Sequence, residues 1–90
     1  MFKLFLFYTE NFEQKGEDPY LIFATSIDKA VGYFSSAVSA NIGEPVHVSL
    51  NQKFADATWS NYCDYSTIVE FPNGQSREYG VMLIVRSNIQ

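Results

Sequence analysis

Ninety residues set the length of one domain with no room for a second, and 47% hydrophobic residues place the chain in the globular class rather than the disordered one. Ten acidic residues against six basic ones leave a net charge of −4 and a pI near 4.7, which argues against direct nucleic-acid binding and against docking on anionic membranes. One cysteine, Cys63, cannot form an internal disulfide, so a disulfide-rich secreted scaffold is excluded. Eight Phe, six Tyr and one Trp are more rings than one small core can hide, so some belong on the surface.

In chain order, Phe2-Lys3-Leu4-Phe5-Leu6-Phe7-Tyr8-Thr9 is apolar on both faces and predicts a well-buried strand, central in its sheet. It is too short for a signal-peptide core with a cleavage site, and no run reaches membrane-spanning length, so a cytoplasmic protein is expected. Residues 10 to 19 carry Glu10, Glu13, Glu17 and Asp18 with Gly16 and Pro19, and read as a loop. A second strand, Tyr20 to Thr25, runs into a helix start. Thr25 is placed to cap it, and Asp28 takes the capping-box acid position. Ile27, Ala30, Val31, Phe34 and Val38 then form one apolar stripe at spacings of three and four. Asp28, Lys29, Gly32, Ser35, Ser36 and Ser39 fall on the other side, which predicts a helix of about three turns held by packing rather than propensity. Asn41-Ile42-Gly43 before Pro45 ends it.

Val46 to Leu50 alternates as a half-buried strand, while residues 51 to 60 carry no decisive pattern. Ser66 to Phe71 and Ser76 to Val85 read as strands around Pro72-Asn73-Gly74-Gln75, a hairpin signalled by Asn-Gly, with the second arm internal. The expected fold is therefore α+β, a single domain over residues 1–90. A four- to five-stranded, mainly antiparallel sheet in the order β-β-α-β-β-β carries one helix on one face. The other face must be solvated in part or covered by something else.

Catalytic chemistry finds little support. Nucleophilic cysteine needs a base beside its thiol, and Asp64 next to Cys63 disfavours the thiolate. His47 reaches Cys63 only if neighbouring strands align the two, and the plainer reading of His47 is a surface strand histidine. One His and one Cys lack the clustered spacing of a zinc site, and the five glycines at 16, 32, 43, 74 and 80 form no phosphate-cradling loop. No catalytic residue, metal or cofactor is expected.

Trp59-Ser60-Asn61-Tyr62-Cys63-Asp64-Tyr65-Ser66 interleaves aromatic rings with small polar residues, the composition of a recognition surface. The competing reading is a strand with aromatic cross-strand pairs. Trp59, Asn61, Tyr62, Asp64 and Tyr65 are the first candidate partner-binding residues. Glu10, Glu13, Glu17 and Asp18 of the first loop form a second, which would engage Lys or Arg on a partner. An open sheet edge pairing with another copy is a third.

Phe23-Ala24-Thr25-Ser26-Ile27-Asp28-Lys29-Ala30, a strand ending in a helix cap, resembles a unit of small phage-encoded proteins, and the size and acidity are similar to those of several anti-CRISPR proteins. The resemblance covers these eight residues and the composition. It matches no family motif, so no functional residue is carried over. It implies a stoichiometric inhibitor acting in the host cytoplasm, one that occupies the basic surface of a nucleic-acid-binding defence complex. The leading expectation is a non-enzymatic binding protein with a basic protein partner. One rival is a homo-oligomer associating through a sheet edge or open face, and another is a small ligand-binding domain or enzyme using His47.

Overall fold

Alternation at period two and a single stripe at period 3.6 organise the chain, and the computed structural model describes residues 2–9, 12–51 and 64–85 of it. The elements are β1 (Lys3–Tyr8), α1 (Phe12–Lys15), β2 (Tyr20–Ala24), α2 (Ile27–Ile42), β3 (His47–Asn51), β4 (Tyr65–Glu70) and β5 (Ser76–Val85). The strands form one five-stranded sheet in the order β2-β1-β5-β4-β3. Every neighbouring pair is antiparallel. The expected α+β class holds, with β5 at the centre and β1 inside the sheet.

Because neighbours alternate in direction, the two edge strands β2 and β3 point the same way. The chain between them is α2, so this helix must carry it across the full width of the sheet. Four strand spacings amount to about 19 Å. Three turns of helix reach only about 16 Å, whereas the sixteen residues observed reach about 24 Å. The crossing distance explains why α2 exceeds the three turns expected.

Ala30, Phe34 and Val38 of α2 are fully buried, and Ile27 and Val31 pack beside them, as the apolar stripe requires. They meet Phe5 and Phe7 of β1, Ala24 of β2, Val69 of β4, and Tyr79 and Val81 of β5. The ring of Phe34 stacks on Phe7 with centroids 4.2 Å apart and planes 11° from parallel. Tyr20 and Tyr79 meet Phe34 edge-on at 5.3 and 5.0 Å. Thr67, buried on the same face, donates from Oγ1 to the Tyr79 carbonyl at 3.2 Å, so its hydroxyl costs little there.

Three local expectations are corrected. Residues 10 to 19 are not loop throughout, since Phe12–Lys15 makes one helical turn closed by Gly16 at φ 73°. A single turn leaves no periodicity to read. The cap of α2 is Ser26, not Thr25. Ser26 Oγ accepts from the Lys29 N–H at 3.3 Å, and its carbonyl accepts the first helical bond, from Ala30. Ser39 does not simply face solvent, because its half-buried hydroxyl accepts from the Val46 N–H at 3.3 Å and ties the helix end to the entry of β3.

The stop and hairpin signals locate their turns. Gly43 adopts the left-handed conformation at φ 77° and donates to the Ser39 carbonyl. In the β4–β5 hairpin, Gly74 N–H donates to the Phe71 carbonyl and Phe71 N–H to the Gln75 carbonyl. The loop is thus Pro72-Asn73-Gly74, with Pro72 at the second position of the turn and Gly74 at φ 90°. It is the three-residue hairpin form.

Phe34→Ala should cost about 3–5 kcal/mol of stability, read as a drop in the urea midpoint at unchanged slope. Gly43→Ala should cost about 1–2 kcal/mol by the same measurement, since alanine resists the left-handed conformation.

Candidate interaction surface

A single helix can cover only one face of this sheet. On the other face, strand alternation sets side chains in rows across the registered strands. Phe23 lies beside Leu4, Leu21 beside Leu6 and Met82, and Tyr8 beside Gly80 and Ser66. Further along, Glu78 lies beside Ile68 and Ser49, and Glu70 between Ser76 and His47. One end of the face is therefore apolar and the other acidic.

The apolar end is open. Leu21 is 61% exposed, Phe23 63%, Phe2 60% and Ile84 44%. Ile84 sits where the β1–β5 register shifts between Leu4 and Phe5, continuing the alternation from Met82. Together these four side chains leave on the order of 400 Å² of apolar surface, within the range of patches that are often functional. At the other end Glu70 is exposed, and Glu78 accepts from Ser66 Oγ at 2.8 Å. Among the described residues this face carries carboxylates but neither Lys nor Arg. Lys3 and Arg77 fall on the helix side by register with Ala24 and Val69.

Of the residues singled out from the sequence as partner-binding, Glu13, Glu17, Asp18, Asp64 and Tyr65 are described. Glu10, Trp59, Asn61, Tyr62 and Cys63 lie outside the described residues. Tyr65 is half-buried on the helix side, packed against the core. Asp64 extends the β4–β5 ladder: its N–H donates to the Val81 carbonyl, and its Oδ2 accepts from the Leu83 N–H at 2.9 Å. Glu17 accepts from Thr9 Oγ1 and lies 4.0 Å from Arg77 Nη1, which pins the segment before β2 to the sheet. Glu13 and Asp18 are exposed. Asp64, Tyr65 and Glu17 are engaged by the fold, which leaves Glu13 and Asp18 as the free carboxylates of that group.

His47 is exposed on β3 and lines a shallow cleft with Pro45, Val46, Glu70, Phe71 and Pro72. No group of three or more His, Cys, Asp or Glu able to hold a metal occurs among the described residues. Nor is any described helix long and apolar enough to cross a membrane. No protein family, curated protein or solved structure matches the chain.

Sequence reasoning missed Leu21, Phe23 and Ile84 as surface residues because Tyr20–Ala24 and β5 are apolar on both faces, the pattern of strands covered twice. The count of helices had said that one face must be solvated in part or covered by something else, but not which residues lie on it. With one long helix for five strands, half of those apolar positions had nothing in the described fold to cover them.

On the helix side, Tyr79 is buried beside Arg77 and Tyr20. Burial pushes its phenol above the ordinary value of 10.0, and a hydrogen bond and the positive charge of Arg77 offset this in part. The unfolded chain therefore releases this proton at lower pH than the folded one. The contribution is intact below about pH 10 and is lost as pH rises from there toward the folded value. Urea titrations across that range should show stability falling with pH, and Tyr79→Phe should make the fall shallower.

Proposed function

We propose that this chain is a non-enzymatic protein-binding module whose open sheet face occupies an apolar surface on a partner protein flanked by Lys or Arg. The observation that carries the reading is the exposed row of Phe23, Leu21 and Ile84, running toward Glu78 and Glu70 on a face with no described cation. Apolar contacts would supply the affinity, and the carboxylates, with the net charge of −4, would favour a basic partner and speed association. Covering the nucleic-acid channel of a host defence complex, the role implied by the resemblance to small phage inhibitors, is a use such a surface would serve.

Tagged protein should retain a salt-sensitive partner from lysate of its native host. Ile84→Asp should weaken that binding about tenfold or more, because a carboxylate would be buried in the contact. Glu70→Lys should slow association and reduce its salt dependence. Retention of the same partner at wild-type affinity by both variants, with unchanged circular dichroism, would remove the open face from the reading.

A further inference from the structure

We propose that the β2 edge pairs antiparallel with the β2 edge of a second copy of this chain, about a two-fold axis at Ile22. This goes beyond the partner-binding reading, with which it shares Leu21 and Phe23 but not Ile84.

The edge is open in a way natural sheets usually avoid. β2 ends the strand order among the described residues, and its five residues, Tyr-Leu-Ile-Phe-Ala, include no charge and no proline. Its pairing with β1 runs through five consecutive partners without a bulge. The usual devices against edge-to-edge association are thus missing from the strand itself. Proline stands before both edge strands, Pro19 before β2 and Pro45 before β3, and the contrast lies within the strands: β3 carries His47 and Ser49 on the open face.

The strand is also complementary to itself. With Ile22 opposite its own copy, Leu21 falls opposite Phe23, and Tyr20 opposite Ala24. Leu21 and Phe23 are the two most exposed large hydrophobic side chains of the described fold, at 61% and 63%, and the pairing sets each against the other on the open face. On the helix side a large ring meets a small methyl. A two-fold axis perpendicular to the sheet keeps both open faces on the same side, so ten strands become continuous. β2 bears no charged side chain, so the net charge of each copy is not concentrated at the contact.

Area sets the strength. A five-residue edge with two exposed side chains buries on the order of 400–500 Å² per copy, below the about 800 Å² per partner of stable interfaces. A reversible dimer with a dissociation constant in the micromolar range follows.

Sedimentation equilibrium from about 1 µM to about 1 mM should show monomer passing to dimer, and no larger species. Hydrogen exchange at the amides of Tyr20–Ala24 should slow as concentration rises, in the unaltered chain. Phe23→Lys, at an exposed position, should weaken the dimer at least tenfold while circular dichroism is unchanged. Ile84→Asp, off the edge, should leave it intact, which separates this contact from the one above. A chain that stays monomeric throughout would overturn the proposal. So would a dimer that survives both Leu21→Lys and Phe23→Lys, or one lost with Ile84→Asp, which would signal face-to-face packing. Should Phe23→Lys unfold, concentration-independent exchange at Tyr20–Ala24 in the unaltered chain would be decisive against it.

Discussion

Phe34 stacked flat on Phe7, with Tyr20 and Tyr79 edge-on around it, holds the only long described helix to three of the five strands at once. The rings come from β1, β2 and β5, neighbours in the sheet of which β5 comes from far along the chain. Aromatic pairs in these geometries contribute about 0.5–1.5 kcal/mol each beyond the area they bury. Without this contact, the serine-rich, glycine-containing helix has little reason to form by itself. The fully buried Ala30 and Val38, one turn to either side, extend the same seam.

That seam determines what else the molecule presents. The helix must bridge two edge strands that point the same way, so it is committed to one face along its whole length. On the other face, Leu21, Phe23 and Ile84 stay exposed. Polar groups near the seam are placed to serve it. Tyr20 Oη accepts from Asn41 Nδ2 at 2.6 Å, and the Arg77 guanidinium beside Tyr79 also faces Glu17, whose carboxylate accepts from Thr9. Glu17 of the acidic segment before β2 is thereby drawn into structural work.

The features legible in advance were those encoded within a few residues. The stripe Ile27, Ala30, Val31, Phe34, Val38 names the buried face of α2, and Gly43 and Gly74 mark turns whose positive φ values suit glycine. The internal place of β5 followed from its apolar residues on both faces. Thr25 and Ser26 both have a side chain able to cap, and only the last β1–β2 pair, Lys3 with Ala24, decides where the strand releases the chain. The surface was less legible. Tyr65 and Asp64 look like recognition residues in a run of rings and small polar groups. In the fold, one packs on the core and the other accepts a hydrogen bond from β5.

Composition and local periodicity were enough to specify the α+β class, the long amphipathic helix α2, and the described strands with their turns, because each depends on neighbours three or four residues apart or on the backbone demands of one glycine. Strand order could not follow from such information. An apolar five-residue run such as Tyr20–Ala24 reads the same whether it lies mid-sheet or at an edge. Only the pairing of β1 with both β2 and β5, residues some sixty positions apart in the chain, puts it at the edge. The open face and the bare edge belong to the tertiary structure for that reason: exposure is decided by which strands and helices remain to cover a residue, and that sum is taken over the whole chain.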